Sequence, residues 1–268
     1  MKIRNAVLFA AVAACSVAAH AANPFIRDVN NQVSVQAIST DVDYKEKDGS
    51  GTVLDTEKGG VPGFAISVSL MRDVIVRDAY FNFTYSRANG HTDYVGSYIG
   101  GGSYGSVKAS SSATLTDYAV RFGKGFDLHP KVMLTPYVEF GHREWSRGVN
   151  EGENYTHNHY GLGALLQGTP VDRLVLTANA LIGRTTSSNI DVAGPAGFSG
   201  ALGNSTLYKV GLSADYAFTK NIHGVVGVDY AAFKYGRSAN YSTPYGRFYE
   251  PSSDTSTTTV RAGLGWSF

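Results

Sequence analysis

The last eleven residues alternate without a break. Thr258, Val260, Ala262, Leu264, Trp266 and Phe268 fall on one face of an extended chain, and Thr259, Arg261, Gly263, Gly265 and Ser267 fall on the other. One face is apolar while Arg261 points the opposite way, so this strand separates a greasy environment from a polar one. Segments of the same kind recur throughout. Reading for period two gives ten expected strands, at roughly 32–44, 63–72, 75–87, 113–126, 131–144, 156–168, 172–185, 205–218, 221–235 and 256–268. Each is long enough to cross a bilayer at a tilt, for which about 9–11 residues suffice. Helical spans are excluded, because no later segment approaches the roughly 20 consecutive apolar residues they need. The mean hydropathy of −0.13 hides a membrane signal that lies in alternation alone.

The connections sort into two kinds. Those after the even strands are tight, as in Arg72-Asp73, Asp127-Leu128-His129-Pro130, Gly168-Thr169-Pro170-Val171 and Thr219-Lys220-Asn221; those after the odd strands are longer. With odd strands rising from the periplasm, Tyr85, Tyr118, Phe140, Tyr160, Tyr208 and Tyr230 fall at the outer level. Phe126, Phe218, Trp266 and Phe268 fall at the inner one, so two aromatic belts result. The expected fold is all-β: a transmembrane antiparallel up-and-down β-barrel of ten strands, with short periplasmic turns and long extracellular loops. An eight-stranded barrel with an ordered N-terminal segment is the alternative, because the first strand is ambiguous. Val33, Val35 and Ala37 share one parity and Ile38, Val42 and Tyr44 the other, which a bulge or a later strand start would reconcile. A soluble sandwich or lipocalin-type barrel also alternates, but predicts no aromatic rings at both strand ends.

Arg261-Ala262-Gly263-Leu264-Gly265-Trp266-Ser267-Phe268 carries a polar residue, a Gly two on, and aromatics three and five after that Gly. It resembles the C-terminal insertion signal of bacterial outer-membrane barrels, with Gly263, Trp266 and Phe268 as its marked positions. The whole mature chain resembles the small outer-membrane barrel superfamily that includes opacity- and adhesin-type surface proteins. That resemblance implies a non-enzymatic, integral outer-membrane protein whose loops contact another surface or serve envelope structure. Its implied partners are outer-membrane lipid and lipopolysaccharide, the barrel-assembly machinery through the C-terminal strand, and an extracellular ligand or host surface. A narrow polar pore for small solutes is the alternative.

At the N-terminus, Lys2 and Arg4 precede the apolar run Ala6 to Ala14, and Ala19-His20-Ala21 offers small residues where a signal peptidase reads. Residues 1–21 are therefore expected to be a signal peptide and 22–268 the barrel. A rival lipoprotein cleavage box, Val12-Ala13-Ala14-Cys15, would instead leave Cys15 acylated. Removing the signal peptide removes Lys2 and Arg4, leaving 21 basic against 22 acidic residues. A net charge of about −1 offers no basic field for nucleic acid.

The inward parity collects Asp41, Asp43, Asp117, Arg121, Glu139, Arg143, His157, His159, Lys209, Asp215, His223, Asp229 and Arg261. They are mixed in sign. Adjacent strands put Glu139 and Arg143 beside His157 and His159, and Asp229 near Arg261, so opposite charges compensate in a narrow lumen. The expectation is a hydrogen-bonded plug; the alternative is a pore with this cluster as its constriction. Ten-stranded outer-membrane proteases, the omptin family, share size and strand number, but their signature residues do not appear. Protease candidates here would be Asp41 with Asp43 against His157 or His159. Lipid deacylase barrels place Ser and His toward lipid, whereas both His157 and His159 point inward. His157, His159 and Glu139 also invite zinc, but no closed ligand set is evident, so neither metal nor cofactor is expected. His142 reads as an interfacial side chain near the outer rim and His91 as part of a long loop. Gly161-Leu162-Gly163 and Gly263-Leu264-Gly265 lie inside strands with no following helix, so they read as lumen gaps that admit bulky neighbours. Outer loop two, about Ser86 to Ser112, carries His91, Tyr94, Tyr98 and Tyr104; loop five carries Tyr241, Tyr245, Arg247, Phe248, Tyr249 and Glu250. Tyr with Ser and Gly is a composition suited to recognition.

Overall fold

The computed structural model describes residues 23–97, 103–149, 151–195, 197–244 and 246–268. The expected signal peptide, its cut before Ala22, the Cys15 alternative, and Tyr98 and Tyr245 lie outside the described residues.

In chain order the elements are α1 (Pro24–Val29), β1 (Gln32–Lys47), β2 (Val53–Arg72), β3 (Ala79–Gly96), β4 (Val107–Lys124), β5 (Phe126–His129), β6 (Val132–Arg147), β7 (Glu153–Gly168), β8 (Leu174–Val192), β9 (Phe198–Ala201), β10 (Thr206–Ala217), β11 (Ile222–Tyr235), β12 (Tyr241–Thr243), β13 (Gly246–Phe248) and β14 (Ser252–Ser267). Ten of the strands are long. Each pairs antiparallel with the next, and β14 closes the ring on β1 from Gln32↔Ser267 to Lys47↔Ser252. The ten-stranded up-and-down barrel is therefore the fold, and the eight-stranded alternative falls. Of the short strands, β5 pairs antiparallel with β6, β9 pairs antiparallel with β8, and β12 with β13 forms a hairpin in outer loop five.

On the lower half of the wall the apolar residues face outward, as the alternation requires. Leu162, Leu212 and Leu264 are each more than 60% exposed. Aromatic side chains ring this band at both ends: Tyr118, Phe140, Tyr160, Tyr208 and Tyr230 above, and Phe126, Phe218, Trp266 and Phe268 below, all exposed.

Above the upper ring the wall turns inside out, and several expectations need correction there. β1 carries no bulge over Gln32–Glu46 and its register is unbroken. Val33, Val35 and Ala37 face outward on its lower half. Ile38, Val42 and Tyr44 face inward, and Asp41 and Asp43 are exposed on the outer wall rather than in the lumen. The physical reason is a change of surroundings along one strand: beyond the aromatic ring the outside is water, so charges point out and apolar side chains pack within. Val61, Leu115, Trp145, Tyr155, Ile190 and Leu207 complete that upper core.

The strands also run further outward than the alternation indicated. Most of what reads as loop two is sheet, with β3 and β4 paired to Gly96↔Val107, and His91 is a strand residue opposite Ser112. In the opposite direction, the turn after β2 is longer than Arg72-Asp73. Ile75 and Val76 read as the start of a strand, yet Ile75 is 94% exposed and β3 begins at Ala79. The Asp73 carboxylate accepts from the Asp78 amide at 2.8 Å, and Asp78 adopts φ 56°, which folds these residues into a turn.

α1 was not foreseen. Asn23 caps it by accepting from the Phe25 amide, and Pro24 begins it, which suits a residue lacking an amide hydrogen. Ile26 is buried, and the helix lies at the end of the barrel that carries the tight turns.

Candidate functional site: the barrel lumen

The inward side chains form four tiers. At the end of the barrel that carries the tight turns, Asp215 on β10 accepts from the Gln32 side-chain amide at 3.0 Å and bonds His223 Nδ1 on β11 at 2.5 Å. His223 Nε2 lies 3.0 Å from Ser267 Oγ, and that hydroxyl also donates to the Asp28 carbonyl of α1 at 2.9 Å. Asp215, His223 and Ser267 have the order of a nucleophilic triad. All three are buried beneath α1, and Ser267 is bonded to the helix backbone. The relay therefore acts as a tether. It holds α1 together with the Arg27–Asp78 ion pair, the 2.7 Å bond from Asn30 to Gln167, and the Met71 amide donating to Asn31 at 3.0 Å.

The second tier centres on Glu139 of β6, which is wholly buried. Its carboxylate meets Arg121 Nε at 2.6 Å, Lys209 Nζ at 2.8 Å and His159 Nε2 at 3.0 Å. Tyr137, one turn of the pleat away, donates to Asn179 at 2.6 Å and lies under the Arg121 guanidinium at 4.7 Å. Gly163 makes room for it, because a Cβ there would overlap the Tyr137 ring. Across the lumen Arg261 Nε pairs with Asp229 at 2.7 Å and its Nη1 donates to Gln36 at 3.0 Å; Gly227 leaves space for this guanidinium.

In the third tier Arg143 contacts Asp117 at 3.1 Å, and His157 Nδ1 contacts Tyr235 Oη at 2.8 Å with its ring against Phe233. The structure thus brings Glu139, His159, Lys209 and Arg121 into one contact set. Asp117 with Arg143, Asp229 with Arg261, and Asp215 form separate sets. His157 and His159 are adjacent on one face but engage different partners, so they do not converge as a ligand pair. His142 lies outside, stacked on Tyr118 at 5.1 Å and bonded to Asn158 at 2.8 Å. The suggested protease set is not assembled, since Asp41 and Asp43 are on the outer wall and both histidines are inside.

The uppermost tier was missed altogether. Arg147, the last residue of β6, has a fully buried side chain. It meets Glu57 at 2.7 Å, Glu153 at 3.5 Å and Asp55 at 3.6 Å. Tyr44, Trp145, Tyr94 and Tyr155 surround its guanidinium, with ring centroids 4.7 to 5.9 Å away. Outer loop five dips into this tier: Glu250 accepts from the Tyr155 and Tyr44 hydroxyls, and its amide donates to Ser238 Oγ at 2.7 Å. Burial, reinforced by the Glu153 charge, pushes the Glu250 carboxyl up to about 8, and burial beside Glu250 pushes Glu46 up as well. The sequence held a signal for this tier, because the inward parity of Arg143 continues through Trp145 to Arg147.

No family model matches the chain and no curated protein matches it. Among solved structures, it is similar to the outer membrane protease OmpT from Escherichia coli. The TM-score is 0.61 at 11% identity, over 88% of this chain and 96% of that one. At lower similarity stand the Pseudomonas putida toluene transporter TodX (TM-score 0.38, 11% identity, 92% of each chain) and Neisserial surface protein A (TM-score 0.34, 14% identity, 88% of this chain and 97% of that one). The fold is that of small outer-membrane β-barrels.

Proposed function

We propose that this chain is an integral outer-membrane protein without catalytic activity, a closed barrel that holds a sheet collar and its Tyr-, Gly- and Ser-rich loops above the membrane for contact with another surface. The signal peptide at residues 1–21 and assembly through Gly263, Trp266 and Phe268 belong to the same reading. One observation carries it: paired polar groups project into the lumen at every level, with the α1 tether at the base, the Glu139 and Arg143 ion pairs in the middle, and Arg147 under Glu250 at the top. Charges so compensated within a narrow barrel suit a scaffold better than a pore.

Planar-bilayer recording on refolded protein tests the closed lumen. Silence is expected. A reproducible unitary conductance that changes when Arg261 or Lys209 is neutralised would instead establish the narrow polar pore. For the surface role, cells displaying the barrel should adhere to a host or matrix surface, and removal of the loop-five hairpin at residues 241–248 should abolish adhesion. Equal adhesion after that removal would overturn the role given to this loop.

A further inference from the structure

A groove crosses the outer wall of β10, β11, β14 and β1, with a cavity of about 390 Å³. Its origin is visible in the register. Ala232 on β11 pairs with Ser256 on β14, and these two small outward residues make a floor. Tyr208 and Tyr230 of the upper aromatic ring bound it below. Above it, Asp254 is the cross-strand neighbour of both Lys234 and Lys45. The Asp254 carboxylate holds Lys234 Nζ and Lys47 Nζ at 2.6 Å each, so the two ammonium groups are fixed while keeping donors free. Lys45 forms no ion pair among the described residues, and Lys58 takes up Asp43 at 3.0 Å. With three lysines against the carboxylates of Asp43 and Asp254 the lining is net positive, and it mixes ammonium donors with hydroxyls, two carboxylates and the edges of Tyr208 and Tyr230.

That mixture matches a phosphorylated sugar: lysines suit the phosphate, while Ser256, Asp254 and the tyrosines suit ring hydroxyls and faces. Position selects the source. Lys234 follows Tyr230 by four residues, about 13 Å along the strand, which places the cations where lipid headgroups sit. Directly below, Val210, Val228 and Val260 present a smooth outward face for acyl chains. We propose that this groove binds the phosphorylated sugar headgroup of an outer-leaflet lipid. The site rests on the membrane placement of the barrel and on no assumption about its loops.

The test uses the refolded full barrel in phosphatidylcholine nanodiscs containing a small fraction of bisphosphorylated lipid A, with dephosphorylated lipid A as control. Native mass spectrometry reads the lipid retained. The wild type should retain the phosphorylated form preferentially. The Lys45→Gln/Lys234→Gln double variant should lower retention about tenfold, and Ser256→Trp should do the same by filling the floor with every charge in place. Both variants should keep the wild-type heat-modifiable gel shift. Equal retention of the two lipids, or undiminished retention in both variants, overturns the site. Loss of retention in excess inorganic phosphate overturns the lipid assignment in favour of free phosphate. A barrel that does not enter nanodiscs at all would instead defeat the membrane reading, which is a separable result.

Discussion

At the scale of single residues, the lumen is a set of charges that are acceptable only together. Glu139 is wholly buried against Arg121, Lys209 and His159. Removing its charge leaves two cations facing each other in a confined space. Glu139→Gln should therefore destabilise the barrel by about 3–5 kcal/mol, seen as a lower temperature for loss of the heat-modifiable gel shift. Reversing Arg143, which is buried beside Asp117, should act in the same direction; an unchanged transition would remove the structural role assigned to it. Glu250 adds a pH dependence of the opposite kind to a salt-bridged carboxylate. Its folded value of about 8 lies above the ordinary 4.5, so its contribution to holding loop five is complete below about 4.5 and declines as pH rises to about 8. The protection factors of residues 246–250, each taken against intrinsic exchange at the same pH, should fall across that window in the wild type. In Glu250→Gln the fall should shrink, and an undiminished fall would contradict this role.

At the scale of elements, α1 is a single six-residue helix, held by the Arg27–Asp78 pair, by the Ser267 bond to Asp28 and by the packing of Phe25, Ile26 and Val29. His223→Ala severs the relay from Asp215 to Ser267 and the helix backbone. It should raise cleavage near Arg27 by a periplasmic-side protease about tenfold while the strands stay resistant; an unchanged cleavage rate would show that the Arg27–Asp78 pair alone suffices. The strands and their order were legible because period two is the direct imprint of a two-faced wall. Their ends were not legible, because the imprint changes phase where the surroundings change. Asp41 and Asp43 were placed inside by following Ile38, Val42 and Tyr44 as if they began a new register, when the register is continuous and only the solvent differs. Arg147, Glu57 and Glu153 were overlooked for the same reason, lying beyond the last residues that alternate as lipid-facing wall, although the inward parity of Arg143 runs on to Arg147. α1 had a local signal in Asn23-Pro24, but six residues are too few to show helical periodicity.

At the scale of the whole molecule, one closed sheet serves two solvents. Below the upper aromatic ring it is apolar outside and charged within; above it is charged outside, with aromatic side chains around the Arg147 ion pairs within, which lets a continuous ring of strands project beyond the bilayer as a stiff collar. Labelling single introduced cysteines at successive β1 positions in the reconstituted barrel tests this most directly, by comparing collisions with lipid-soluble oxygen and with a water-soluble relaxation agent. The account predicts that labels at Val33, Val35 and Ala37 collide with oxygen, that labels at Asp41, Asp43 and Lys45 collide with the aqueous agent, and that Tyr44 is shielded from both. Oxygen-dominated collisions at 41, 43 and 45, or a fully shielded label at 43, would contradict it.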